Sequence, residues 1–327
     1  MKMLKLLGSL TVALALTMPA SAEIVLKLGH ISPKGSPEGI VADRFAELVK
    51  EKTKGEVVIQ VFPSEQLGPA TAEIESTMLG NQDIYIGGNV EFERFSPPLK
   101  AVGLNYAIPS AEQFRTVLAS SVWKDIFIDP LAKAGLTVIS SDWERGPGRV
   151  LISTKPIRNF DDVKGLKLRI APIDSMRISW QALGAQTVVL PWNDVYLGLQ
   201  QGLVEAVTSP TNLFVPMKFT DIAKYVARTD EIFQVLAVVM NTSRYQTLKP
   251  ELHQAMFEAA KQAGQEYMAS AERDIARDLA KIQKEQGVTY TEFDLKPGVA
   301  VMEPVIRKLE ADKFIPAGLY DRFQSGK

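Results

Sequence analysis

Residues 250–286, PELHQAMFEAAKQAGQEYMASAERDIARDLAKIQKEQ, decide the architecture. Leu252, Met256, Ala260, Tyr267, Ala271, Ile275, Leu279 and Ile282 recur there at near-helical spacing, and Gly287 supplies a stop. A helix over this stretch runs about 55 Å at a rise of about 1.5 Å per residue, nearly twice the width of a small domain, so it has to pack across two lobes. Gly264 would allow a break into two helices. A glycine in a helix interior costs only about 1 kcal/mol, however, and forces no break. One unbroken helix is expected.

The rest of the chain supplies two α/β units for that helix to join. From Glu23, IVLKLG reads as a strand, and Ser36-Pro37-Glu38 gives a cap, a first-turn proline and an early acid for a helix. Ile40, Val41, Phe45, Leu48 and Val49 form its apolar stripe. EVVIQVF is a second strand, Pro69 to Leu79 a second helix, and DIYIG a third strand ending in Gly87-Gly88. This β-α-β-α-β order predicts a parallel sheet with helical crossovers. After a stretch that is hard to place, the same grammar restarts. LTVISS, RVLIST, GLKLRI, QTVVL and EAVTS read as strands, with helices near Asp174–Leu183 and Asn193–Gln201.

Composition narrows the class. Lys2 and Lys5, an apolar run from Leu6 to Met18 and the close Ala20-Ser21-Ala22 describe a secretory signal peptide over residues 1–22, removed after Ala22. The chain has no cysteine, so an exported protein of this kind has no disulfide framework and relies on its core. Without the two leader lysines, the 37 basic residues become 35 against 38 acidic ones, a net charge of −3 that gives no reason to expect nucleic acid. Beyond the leader, the most apolar segment, Ile232–Met240, has the length of a strand and not of a membrane span. A soluble mature protein is expected.

Several chemistries lack their residues. With two histidines, His30 and His253, no cysteine and no H-E-x-x-H spacing, a catalytic zinc is not expected. There is no G-x-S-x-G elbow and no G-x-x-x-x-G-K-[ST] phosphate loop. Asp161-Asp162 sits in a turn and reads as a capping or solvated pair. No cofactor is expected.

What remains is a set of strand ends. In KGLKLRIAP, residues 164–172, Leu166, Leu168 and Ile170 alternate with Lys167 and Arg169, so Arg169 ends its strand on the face opposite the core. Ligands of open α/β sheets settle outside the carboxyl ends of strands, where loops diverge. His30, Asn89, Trp143 and Ser209 stand at other such ends, Arg149 enters the RVLIST strand, and Phe214 follows shortly after Ser209. Two guanidinium groups facing aromatic walls and small polar donors would suit a small organic anion, because arginine's planar fork gives a carboxylate two parallel charge-assisted bonds. From spacing alone, a surface ion pair for Arg169 is an equal alternative.

KPIRNFDDVKGLKLRIAP, followed by LGAQTVVLPWNDVYLGLQQGLVEAVTSP, resembles the signature region of TRAP-transporter solute-binding proteins, and TKGEVVIQVFPSEQLG is similar to that family's first-lobe pattern. The resemblance extends over essentially the whole mature chain. It implies an α/β, two-lobed periplasmic binding protein fold with a hinge and a long helix spanning both lobes. It also implies capture of a small organic acid and delivery to TRAP membrane permease subunits driven by an ion gradient. The family's carboxylate-holding arginine of G-L-K-x-R falls on Arg169, a second arginine on Arg149, and a pocket aromatic on Trp192. Ser209 stands where many members carry asparagine.

On this basis lobe I is assigned to residues 23–146 plus 235–274 and lobe II to 147–234 plus 275–327, in a periplasmic monomer that is not an enzyme. The substrate-binding candidates are Arg169, Arg149, Trp192, Ser209, Asn89, His30, Trp143 and Phe214. Pocket composition leans towards a compact, partly apolar monocarboxylate. A C4-dicarboxylate stays open if Arg145 or Arg177 receives a second carboxylate. A ligand-binding sensor subunit for a membrane receptor would share the whole pocket, and an enzyme acting on an organic acid would have His30 as its ready base.

Overall fold

The computed structural model describes residues 23–325; the signal peptide read at residues 1–22, with its cleavage point, lies outside them. In chain order the described strands are β1 (Ile24–Gly29), β2 (Val57–Phe62), β3 (Ile84–Gly88), β4 (Leu136–Glu144), β5 (Val150–Ser153), β6 (Lys167–Ile170), β7 (Gln186–Val189), β8 (Ala206–Ser209), β9 (Tyr225–Arg228), β10 (Val235–Asn241) and β11 (Thr289–Glu292). They form two sheets, one ordered β2-β1-β3-β10-β4 and the other β11-β9-β5-β8-β6-β7.

Both α/β units are present, but neither sheet is wholly parallel. β1 runs parallel to β2 and β3, and β6 runs parallel to β7 and β8, as helical crossovers require. β10 is antiparallel to both β3 and β4, and β5 is antiparallel to β8 and β9. The cause is the path of the chain. It leaves the first sheet after β4, completes most of the second, and returns through β10, which enters between β3 and β4 from the opposite lobe. Every residue of β10 is buried, because a strand in mid-sheet with both faces covered can be apolar throughout.

The helix predicted for residues 250–286 is a single element of 37 residues, Pro250–Gln286, closed by Gly287 in the left-handed conformation. Leu252, Met256, Ala259, Ala260, Ala263 and Tyr267 belong to the apolar core behind the first sheet, whereas Ile282 belongs to the core behind the second. One rod therefore ties the two cores together. Near the chain's end, helix Lys296–Ala311 packs on helix Asp174–Ala182, and helix Leu319–Ser325 comes back to helix Ala111–Leu118, where Gln324 Nε2 donates to the Ala107 carbonyl at 3.0 Å.

Gly264 has a packing reason. A Cβ there would lie 2.2 Å from Trp143 Cδ1, a separation real side chains do not show. Trp143 is fully buried, meets Phe45 edge-on at 6.2 Å and donates its indole N–H to the Ala260 carbonyl at 3.0 Å. The missing side chain lets the indole seat directly on the long helix. Gly264→Ala would gain about 1 kcal/mol of helix propensity but overpack the core at a cost of about 1–3 kcal/mol. A net loss of about 1 kcal/mol in reversible denaturation is expected. A variant as stable as the parent would show that the indole is not pinned there.

Candidate functional site

A cavity of about 220 Å³ lies between the lobes. Its first wall comes from the ends of β1 and β3 and the segment entering helix Ala70–Leu79: Ile31, Glu65, Pro69, Val90 and Glu91. Its second comes from the ends of β6, β7 and β8: Arg169, Pro172, Ile173, Trp192 and Leu213. The floor is built by the two crossings between the sheets, through Arg145, Arg149 and Gln234. The site thus sits outside the carboxyl ends of parallel strands, where the α/β topology opens a crevice.

Arg169 is the residue around which the cavity is arranged. The strand reading put it on the polar face of β6, and that face turns out to be sealed: the residue is only 2 % exposed. Its Nε and Nη2 both donate to the Leu190 carbonyl, at 3.0 and 2.6 Å. That uses the side edge of the guanidinium and leaves the end-on edge, Nη1 with Nη2, uncommitted. The Trp192 ring lies 5.1 Å from Cζ, a cation–π distance that fixes the plane of the fork. Among the described residues no carboxylate reaches ion-pair distance of it. Burial, and then the charge of Arg149, hold its pKa below the ordinary guanidinium range.

The other two arginines are committed. Arg145 binds Glu38 through Nε and Nη2, both at 2.7 Å, and donates Nη1 to Gln234 Oε1 at 3.3 Å. Arg149 donates to Thr208 Oγ1 at 3.0 Å, to the Thr208 carbonyl at 2.6 Å and to Gln234 Oε1 at 2.9 Å, with Glu231 3.8 Å away. Gln234 spends its carbonyl oxygen on both and leaves its buried amide nitrogen without an acceptor; the Trp192 indole nitrogen is likewise unpartnered. Three residues of the cavity wall, Arg169, Trp192 and Gln234, therefore carry donors without a full set of acceptors. Buried donors without acceptors are costly, so this arrangement calls for an anion rich in oxygen.

The remaining sequence candidates lie elsewhere. Ser209 is buried with Oγ turned back to the Pro210 carbonyl at 2.9 Å, and it is Pro210 that reaches the cavity. Asn89 accepts from the Val235 N–H at 3.1 Å and sits behind Val90 and Glu91. His30 is buried beside the wall residue Ile31, and burial lowers its pKa to about 4, so it is neutral at neutral pH. Trp143 pins the long helix, and Phe214 belongs to the core of the second sheet and borders a smaller cavity near Tyr267. Arg177 faces solvent in a 3.1 Å pair with Asp174, whereas Arg145 lines the cavity. Glu65 and Gln234 were missed as lining residues; the signal for Gln234 was its place at an inter-lobe crossing.

Contacts across the mouth hold the lobes together. Asn193 Nδ2 donates to the Ser64 carbonyl at 3.0 Å, and Asn193 N–H to Glu65 Oε2 at 3.4 Å. Ser64 and Glu65 both take positive φ, an uncommon conformation for non-glycine residues that presents this turn to the opposite lobe. Further along, Glu93 accepts from the Asp174 and Ser175 N–H groups at 2.6 and 3.2 Å, capping the N-terminus of helix Asp174–Ala182.

Residues 28–313 match the model of the family described as bacterial extracellular solute-binding protein, family 7. The chain is 30% identical over 275 residues to the 2,3-diketo-L-gulonate-binding periplasmic protein YiaO of Escherichia coli K12, covering 83% of this chain and 82% of that one. A TRAP periplasmic solute binding protein from Polaromonas sp. JS666, solved with D-erythronate, superposes with a TM-score of 0.85 at 22% identity, over 93% of this chain and 98% of that one. Another from Sulfurospirillum deleyianum, solved with succinate, gives 0.84 at 26% identity, over 94% and 100%.

Behind the first wall lies a carboxyl group with no cation beside it. Glu73 is fully buried, bonded only to Gln82 Nε2 at 3.3 Å, and burial pushes its pKa up to about 8. A raised acid pKa means the folded state holds a proton the unfolded state has released. The stability that proton carries is complete below the ordinary carboxyl pKa near 4.5 and is lost as pH rises through about 8. Glu73→Gln is therefore expected to stabilise the protein by an amount that grows between these values and levels off above them, read as the difference in denaturation midpoint across a pH series. A constant difference across the series would contradict this.

Proposed function

The chain belongs to bacterial extracellular solute-binding protein family 7, and on that premise we propose that it captures a small organic acid between its lobes in the periplasm and delivers it to TRAP membrane permease subunits driven by an ion gradient. The observation that carries the ligand class is Arg169, a buried guanidinium with a free end-on edge and, among the described residues, no carboxylate at ion-pair distance. A buried charge without a counter-ion is unfavourable, and a ligand carboxylate supplies one. Trp192 Nε1 and Gln234 Nε2 provide further donors to the ligand's oxygens.

Capture proceeds by closure about the hinge formed by the two crossings and the long helix. In the open form water solvates Arg169; the anion enters, and the Ser64–Asn193 and Glu93–helix contacts then form across the mouth. Closure strengthens the Arg169–carboxylate attraction by removing water from around it. The bound acid can shift the equilibrium only by its preference for the closed form, so the donors must converge only when the lobes meet. We read the cleft as a binding site and not a catalytic one, since His30, the base that turnover would need, is outside the cavity wall and, with its pKa lowered to about 4, a weak base. Residues 1–22 serve in this reading as the export signal, removed after Ala22.

Arg169→Ala is expected to weaken binding of the acid by about 100-fold, near 3 kcal/mol, with Arg169→Lys intermediate because an ammonium cannot match the fork. The acid is first identified by a thermal-shift screen of organic acids, in which a tight ligand raises the midpoint by mass action. Titration calorimetry then gives the ratio of affinities. Equal affinity in the alanine variant would contradict the assignment.

A further inference from the structure

We propose that Glu91 makes the cleft selective for a monocarboxylate bearing a hydroxyl group and sets it against dicarboxylates. This rests on the reading of the cleft as an organic-acid site and adds to it the charge and donor pattern of the acid. Three guanidinium groups line the cavity, but only one has an edge to give. Arg145 is held by Glu38 and Gln234, and Arg149 by Thr208, Gln234 and Glu231. A second ligand carboxylate would therefore find no free fork.

It would also meet a carboxyl group of the protein. Glu91 lines the cavity and keeps part of its surface accessible there. Tyr85 Oη donates to its Oε2 at 2.7 Å and the Gly88 N–H points at it, so its surroundings already treat it as an acceptor. Arg145 and Glu38 are the nearest charged groups on the elements around it, and Glu91 stands close enough to Arg169 to act on that charge. The other acid on the wall, Glu65, is engaged by Asn193 across the mouth. Glu91 is thus the acceptor left facing the interior.

An anion held end-on by Arg169 would direct a neighbouring hydroxyl towards Glu91, where it donates. An ammonium in the same place would be repelled by Arg169, the one lining guanidinium without a carboxylate at ion-pair distance among the described residues. Apart from Glu65, Thr71 and Gln234 the rest of the wall is apolar, with Ile31, Val90, Ile173, Met176, Val189 and Leu213, and satisfies few further hydroxyls. At about 220 Å³, the cavity is also smaller than the roughly 300–1,000 Å³ of sites for drug-sized ligands. A short, branched 2-hydroxy acid meets all of these conditions.

The test is titration calorimetry of wild-type protein and Glu91→Gln with three probes: 2-hydroxy-3-methylbutanoate, its deoxy analogue 3-methylbutanoate, and succinate. Wild type is expected to favour the hydroxy acid over the deoxy acid by about tenfold and over succinate by about 100-fold. Glu91→Gln, which keeps an acceptor for Tyr85, is expected to bring the succinate ratio down by about tenfold while retaining part of the hydroxyl preference. Tighter binding of succinate by wild type would overturn the inference while leaving the organic-acid reading intact, and so would ratios unchanged in the variant. The wild-type order decides the dicarboxylate half even if the variant does not fold. Absence of binding with all three acids would overturn the inference, and the organic-acid reading would fall with it only if the thermal-shift screen of organic acids also found no ligand.

Discussion

Everything in this cleft is arranged around one guanidinium kept out of water with no acid at ion-pair distance among the described residues. Removing a charge from water is among the costliest steps in folding, and proteins ordinarily repay it with a partner of opposite sign. For Arg145 and Arg149 the chain does so, through Glu38 and Glu231. For Arg169 it supplies one backbone carbonyl, from Leu190, and an aromatic face from Trp192. These orient the fork without neutralising it. The imbalance is a standing preference for an anion, and it selects a carboxylate because the free edge is planar and carries paired donors.

In the closure proposed above, the fold has to keep that imbalance in place while two lobes move around it. Arg169 rides on the second sheet, Glu91 on the first, and Arg145, Arg149 and Gln234 on the crossings between them. The long helix gives the movement a rigid back, with its first half in one core and its end in the other. Its attachment to the first lobe depends on close approach: alanines at 259, 260 and 263 and the bare Gly264 let Trp143 lie on the helix surface. The mouth carries hydrogen bonds from Ser64, Glu65 and Glu93, and one apolar cluster runs from Tyr85 and Val239 of the first sheet to Leu151 and Leu168 of the second.

Much of this was legible in the chain. Periodicity located the long helix to the residue, and alternation in GLKLRI put Arg169 opposite the core of its strand, because both signals are local. What escaped was non-local. The antiparallel course of β10 follows from a crossing that no window of sequence contains, and its apolar run VLAVVM has no alternation to read. Trp143 stood at the end of a strand and so looked like a pocket residue; β4 runs on through it, and the indole meets a helix more than a hundred residues away. Gln234 carries no motif. Its meaning comes from which neighbours are already satisfied, a property of the packed state alone.

The central claim is tested most directly by a crystal structure of the complex with a bound organic acid. The account predicts a carboxylate lying against the end-on edge of Arg169, with Nη1 and Nη2 each donating to one oxygen while Nε stays on the Leu190 carbonyl. A guanidinium swung towards solvent or paired with an acid of the protein, and a ligand held by other groups, would contradict it.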